Sequence, residues 1–493
     1  MSDILGEVKP QGRAAYLRRV VREDRQRQQQ QENASSGSAD VPIKASAAAD
    51  GVRPQRSEDA RIGGSAQRLG NNTKSRAALD VSEDQNPDVI QRFRYDSARD
   101  EYVVDKTVEF SASVGRAARF SAQNSATKLL FNHVTPREKK RSSASEECAA
   151  DEGGKRGQWR VTGCSRRKIS EFVGVLYAPS IKKAHFGGLM VCGSVWTCPP
   201  CAAKISERRK NEIQSATDLF KSAGGHLYMI TLTFSHTRQD DLDVLMSRLS
   251  DARMRLRRMR AYGVLKRELG YVGDIRTLEV TFGDKNGFHP HEHSLWLTAY
   301  QFTARKLESF KNRLFVLWER ACLAAGLAAP NRKRGVDVRH AMSAAEYLAK
   351  FGRESTWGVA SELSKQHIKS GRASSMTPFD LLRSYQAGNT EHGNRFIVYA
   401  NAFFGKRQII WSRGLKSLFG VADVSDEDLA KEETADAALL YKIEGWEWRV
   451  ILRQPWDVRS TLLDLAEASS EHGGGYDAVK LFVDHLTRAE APF

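Results

Sequence analysis

Three of the chain's 12 histidines, His289, His291 and His293, fall within five residues of one stretch, Phe-His-Pro-His-Glu-His-Ser-Leu-Trp-Leu at 288–297. A strand turns successive side chains to opposite faces. All three imidazoles then share one face, and Pro290, Glu292, Ser294 and Trp296 share the other. Neutral imidazole is the commonest metal-binding side chain, and two of them one strand repeat apart can reach one ion. A second strand, 271–283, precedes the histidines across Asp284-Lys-Asn-Gly287, which is a hairpin signal. A three-residue loop at 285–287, with Gly287 in the left-handed position, pairs Asp284 with Phe288. Thr281 then faces His291 and Glu279 faces His293, so a carboxylate joins the histidine face. A two-residue Asn286-Gly287 turn would send Glu279 to the opposite face. Two imidazoles and a carboxylate with open positions suit Mn²⁺ or Mg²⁺ acting as a Lewis acid on a phosphoryl oxygen, and this ligand set leaves Zn²⁺ open too.

A second constellation is sulfur-based. Cys192, Cys198 and Cys201 form a C-x5-C-x2-C cluster, in which the last pair has the spacing that lets two thiolates grip one tetrahedral Zn²⁺. Cys164 is the first candidate for the fourth ligand and His185 the second. A redox pair is the rival reading of Cys-x-x-Cys, but no βαβ pattern surrounds it. Plain buried cysteines explain the spacing poorly. Further on, Ala-Glu-Tyr-Leu-Ala-Lys-Phe at 345–351 reads as a helix with Tyr347 and Lys350 on one face. A phenol titrates near pH 10, and a neighbouring ammonium or metal ion favours the phenolate, the nucleophilic form. An amphipathic helix with Tyr347 packed inward is the plain alternative.

The elements that must position these groups follow from periodicity. Residues 226–234 are β-branched and aromatic, hence a strand. Residues 241–262 predict one long helix with Leu242, Leu245, Leu249, Ala252, Leu256 and Met259 inward. The same helix carries Arg253, Arg257, Arg258 and Arg260, candidate phosphate contacts. A helix at 303–325, a strand at 335–340 and a short helix at 343–351 complete a β-α-β-β-α-β-α order. This predicts an α+β fold, an antiparallel sheet with helices packed on it. Residues 1–155 predict a largely disordered tail and linker, and 156–222 a Cys-rich zinc-binding module with a basic helix at 202–211 (Lys204, Arg208, Arg209, Lys210). Residues 223–360 are the expected catalytic domain. Residues 361–493 form a mixed α/β accessory region, with a strand near 446–452 and two closing helices.

Three pieces in order, Thr231-Leu-Thr-Phe234, then Glu279 with His289-Pro-His-Glu-His293, then Tyr347-x-x-Lys350, resemble the motifs of HUH endonucleases, specifically plasmid rolling-circle replication initiator (Rep) proteins. The Cys192 to Cys201 cluster and Trp411-Ser-Arg-Gly-Leu415 also resemble stretches of that group. The likeness spans roughly residues 160–420. It implies that His291 and His293 are paired ligands of a catalytic Mn²⁺ or Mg²⁺, with Glu279 or His289 completing the set. Tyr347 would attack a single-stranded nick site in a plasmid double-strand origin, leaving a 5′-phosphotyrosyl link and a 3′-OH primer, with Lys350 neutralising charge. A host helicase is a candidate partner. Where some relatives place a second tyrosine or a glutamate one turn from the nucleophile, this chain has Ser343 and Phe351, which leaves termination unexplained. The alternatives are a relaxase or single-tyrosine transposase of the same superfamily, and a non-catalytic zinc-dependent DNA-binding regulator.

Composition agrees with a polyanionic partner. The 493 residues carry 76 Lys and Arg against 60 Asp and Glu, a formal charge of +16. No apolar run approaches the roughly 20 residues of a membrane span, and the first residues lack the apolar core of a secretory signal. A cytoplasmic, nucleic-acid-facing protein with no membrane partner is the expectation.

Overall fold

The computed structural model describes residues 15–23, 26, 115–138, 158–341, 376–431, 435–455, 458–470 and 473–488, with the backbone alone of 78–80, 89–96, 101–109 and 112–114. The predicted helix at 343–351, with Ser343, Tyr347, Lys350 and Phe351, lies outside the described residues. Contacts divide the chain into two units, of which the smaller is 23–109. Taken by itself, that unit holds an antiparallel sheet of β1 (Ala78–Asp80), β2 (Val89–Asp96) and β3 (Glu101–Glu109), in that order. Helix α1 (Ala112–Leu130) opens the main body of the larger unit. These elements fall inside the stretch whose composition predicts tail and linker.

The Cys-rich module contains β4 (Val173–Ala178) and β5 (Lys183–Gly187), followed by α2 (Pro199–Ser222). Helix α2 begins on two prolines, which lack an N–H that a first turn would leave unpaired. It runs beyond the predicted 202–211. Its inner residues change partners along its length: Cys201, Ala202 and Ile205 pack with the thiols, whereas Ile213, Ala216 and Phe220 pack on the main sheet.

That sheet has strands β6 (His226–Leu232), β7 (Tyr271–Gly283), β8 (Gly287–Thr298) and β9 (Val336–His340). Between β6 and β7 the predicted single helix is two, α3 (Leu242–Arg258) and α4 (Arg260–Glu268). The break is at Met259, whose ψ of 128° is extended. Redirecting the chain there buries Tyr262 against the Trp296 ring, with centroids 5.8 Å apart, which one continuous helix would not do. Helix α5 (Ala304–Ala324) starts at Thr303, whose hydroxyl accepts from the Lys306 N–H. It buries Phe310, Leu314 and Trp318, each side chain contributing about 2 kcal/mol on leaving water.

The C-terminal residues add α6 (Pro378–Gln386), α7 (Thr390–Phe403), β10 (Ile409–Trp411), α8 (Leu415–Phe419), α9 (Asp426–Lys431), β11 (Ala438–Ile443), α10 (Gly445–Arg453), α11 (Val458–Ser470) and α12 (Gly475–Thr487). The strand expected near 446–452 is therefore a helix. Glu444 and Glu447 form a reciprocal capping box at its start, and Trp448 and Ile451, three apart, are both buried. That satisfaction of end groups outweighs the β-favouring composition.

The sheet order is β10-β7-β8-β6-β9, antiparallel throughout. A mixed α+β fold results. One face, with Tyr228, Ile230, Trp296 and Val338, lies under α3, α4 and α5. The other, with Leu227, Met229, Leu295 and Leu297, lies under α2 and α8. β10 comes from beyond residue 360, and β11 pairs with β4 of the Cys-rich module. Residues 361–493 thus complete both sheets.

Candidate metal centre

The hairpin register differs from the predicted one by two residues. Gly283 pairs with Gly287, Phe282 with Phe288 and Glu279 with His291, so the loop is 284–286. Two effects select this register. It places the Phe282 and Phe288 rings opposite each other, centroids 5.0 Å apart. It also seats Gly287 at φ 76° against Arg238, whose Cα would lie 2.9 Å from a Cβ at that position. A shift of two preserves the face, so Glu279 still joins His291 and His293.

Those three side chains converge. The Glu279 Oε2 lies 3.3 Å from His291 Nε2 and 3.0 Å from His293 Nε2, and all three residues are buried. The other ring nitrogens are engaged. His291 Nδ1–H donates to the His289 carbonyl at 3.1 Å, and His293 Nδ1 is 2.8 Å from the Thr231 hydroxyl of β6. Because a carbonyl only accepts, the Nδ1 of His291 carries a proton, and its Nε2 faces a carboxylate oxygen. A cation must stand between them, either a proton or a metal ion. Two donors each about 2.1 Å from one ion and at right angles are about 3.0 Å apart, which matches both distances. The donor set therefore fits a divalent metal.

His289 takes a different partner. Its Nδ1 lies 2.6 Å from Nε2 of His236, while its ring stacks on His291 with centroids 5.1 Å apart. Burial, then the neighbouring His291, His236 and His293, push its pKa down to about 3. Among the described residues, the histidine-containing group whose ligand atoms lie close enough to share an ion is Glu279, His291 and His293, without His289. Sequence reasoning assigned no role to His236 or to the Thr231 hydroxyl. Thr231 lies in the quoted Thr-Leu-Thr-Phe motif and could have been found by pairing β6 with β8.

The opposite face explains Glu292. Its carboxylate is buried, with Arg253 Nη1 at 2.8 Å and Arg276 Nη1 at 3.5 Å. Arg253, a candidate phosphate contact, thus pairs with Glu292 on this face. Arg257 is 3.9 Å from Asp274, and Arg257, Arg258 and Arg260 are exposed. Arg209 of the supposed basic face is buried and bonds Glu212 and Asp426.

The four predicted thiols also converge. Cys164 Sγ lies 3.5 Å from Cys201 Sγ and 3.6 Å from Cys198 Sγ, and Cys192 Sγ lies 3.7 Å from Cys201 Sγ. Sulfurs at the corners of a tetrahedron with Zn–S near 2.3 Å are about 3.8 Å apart. None is in a disulfide. Cys164 is held well below the usual thiol range by hydrogen bonds from Cys192, Cys198 and Cys201, while burial pushes Cys198 up. Backbone and side-chain N–H groups point at the sulfurs, from Cys192 to Cys164 Sγ at 3.4 Å and from Gln123 to Cys198 Sγ at 3.5 Å. His185, the second candidate, is on β5 and outside the cluster.

An antiparallel α+β body with a His₂Glu cluster on its sheet and a tight four-thiol cluster beside it is consistent with a metal-dependent nucleic-acid enzyme. Residues 189–453, more than half of the chain, match the Rep_1 family, described as "Replication protein", and the chain belongs to that family. It is similar to "Protein rep" of Streptomyces lividans, 28% identical over 343 residues, which are 56% of this chain and 75% of that one. A stretch of 149 residues is 33% identical to "Neomycin resistance protein" of Streptomyces cyanogenus, and it covers 25% of this chain and 34% of that one. No solved structure matches the chain. Among the described residues no helix is long and apolar enough to cross a membrane.

Proposed function

We propose that this protein is a plasmid rolling-circle replication initiator that nicks one strand of an origin and joins itself to the 5′ end. The observation that carries the reading is the convergence of Glu279, His291 and His293 on the sheet of a Rep_1-family chain. Mn²⁺ or Mg²⁺ held there would supply Lewis-acid polarisation of the scissile phosphate. The His289 carbonyl holds His291 in the tautomer that leaves its Nε2 free to ligate, and the Thr231 hydroxyl, by accepting from Nδ1–H, would do the same for His293. Tyr347 is the proposed nucleophile. Its phenolic oxygen bonds to phosphorus as the P–O3′ bond breaks, and the departing oxygen takes up a proton as the 3′-OH. Lys350, three residues on in the sequence, is proposed to neutralise the phosphate. Described residues on either side of the segment that carries Tyr347 bond to the sheet. Ala341 N–H donates to the Leu227 carbonyl at 2.9 Å, and Met376 and Phe282 exchange bonds of 2.8 and 2.7 Å. Both ends are thus tied to the sheet that carries the histidines. Zn²⁺ is the proposed occupant of the four-thiol cluster, in a structural role.

The test is incubation of the purified protein with Mn²⁺ and a supercoiled plasmid carrying the cognate origin. Nicked circles and a protein–DNA adduct are expected from the wild type, and neither from Tyr347→Phe. A mobility shift without nicking by the wild type would instead make the protein a DNA-binding regulator.

A further inference from the structure

We propose that the cavity beside the four-thiol cluster is a binding site for an unpaired base of single-stranded DNA. The cavity holds about 600 Å³, within the usual range of ligand sites, roughly 300–1,000 Å³. The thiol-bearing loop, including Cys192 and Trp196, forms one wall, and the end of α7 with residues 403–406 forms another. Hydrogen bonds lock the walls together. Trp196 Nε1 donates to the Lys406 carbonyl at 2.7 Å, and the Tyr399 hydroxyl donates to the Trp196 carbonyl at 3.0 Å. Phe404 is 38% exposed. The buried Trp159 supports it edge-on, with centroids 5.3 Å apart. An aromatic ring thus lines the cavity with part of the residue open to solvent.

Charge identifies the occupant. Of the acids on the lining, Asp426 is already bonded by Arg209 at 2.8 Å, and Glu138 has a partner of its own. The lining Arg160 is engaged by Glu427. Arg137 and Lys406 also line the cavity, and neither makes an ion pair among the described residues. A fixed aromatic face flanked by uncompensated cations is the chemistry that stacks a base and neutralises its phosphate. A base still paired in a duplex could not enter. The inference rests on the reading above that this chain handles exposed origin strand.

The experiment uses the full-length, zinc-loaded protein and two fluorescein-labelled probes of equal length and charge, an oligodeoxythymidylate and its fully abasic counterpart. Fluorescence anisotropy should show the wild type binding the base-bearing probe about tenfold more tightly than the abasic one. In Phe404→Ala that preference should fall below about twofold, in Phe404→Trp it should persist, and both variants should keep the wild-type melting temperature. Ultraviolet crosslinking of a bromodeoxyuridine probe should map to the peptide that carries Phe404. A preference unchanged in Phe404→Ala overturns the proposal, and does so while wild-type plasmid nicking remains intact. If the function proposed above fails instead, the wild type leaves supercoiled plasmid unnicked whatever the Phe404 variants do. A wild type that binds neither probe overturns the pocket as well.

Discussion

Two imidazoles aimed at one carboxylate need their remote nitrogens occupied, and here Thr231 and the His289 carbonyl occupy them. Such outer partners typically account for about 10–100-fold in metal affinity. Thr231→Val, which keeps shape and removes the hydroxyl, is expected to weaken Mn²⁺ binding by about that factor. Isothermal titration calorimetry reads it, and an affinity equal to wild type removes Thr231 from the site. His185 carries a prediction about acid. Burial first, then Lys204, lowers its pKa to about 4, against about 6.5 when unfolded. The unfolded chain therefore takes up a proton that the native chain resists. The associated stability is fully present above pH 6.5 and is lost as pH falls from there toward 4. At pH 5 the ceiling on that loss is about 2 kcal/mol. Chemical denaturation of His185→Leu at pH 7 and pH 5 should show a smaller acid loss than wild type, whereas parallel losses would contradict this account.

Among the elements, α2 links the two clusters. Its first turn carries Cys201, and its last turns cover the sheet face that bears the histidines at its other end. Structural zinc sites contribute folding free energy directly, on the order of 10 kcal/mol in small peptides. One zinc per chain is expected by elemental analysis. Cys198→Ser should lose that zinc and lower the melting temperature, and it should loosen α2 as read by amide hydrogen exchange. Retention of zinc and of protection in that variant would show that the thiols are an ordinary buried cluster. The helix break at Met259 and the helix at Gly445–Arg453 show where local pattern misleads. A stripe of apolar residues does not register a change of helix direction, and a run of Trp, Val and Ile fits a strand as well as a helix until its caps are seen.

For the whole molecule, the +16 charge predicts DNA binding that weakens steeply with salt. The arginines near the α3–α4 break divide by exposure. Arg258 and Arg260 are exposed, so replacing either by Ala should leave stability unchanged and reduce the salt slope by about 0.7–0.9 if it neutralises one phosphate. Arg253→Ala should instead destabilise the fold by about 2 kcal/mol, because it takes from buried Glu292 its closest partner. Urea denaturation and binding titrations at several salt concentrations separate the two outcomes. A stable Arg253→Ala with a reduced slope would make Arg253 a phosphate contact instead.

Alternation at a period of two put His291 and His293 on one face before any coordinates; Glu279 joined them only on the three-residue-loop reading, whose two-residue error in register leaves faces unchanged. Cysteine spacing likewise named Cys192, Cys198 and Cys201, since a chelate demands particular residue types close together, whereas Cys164 rather than His185 beside them is a matter of the fold. Choices that depend on contacts between distant segments were not encoded locally. They include the register set by Phe282, Phe288 and Arg238, the diversion of His289 to His236, the capture of Arg253 by Glu292, and the recruitment of residues 409–411 as an edge strand. Each compares two partners of similar local chemistry, and only packing in three dimensions brings one of them within reach.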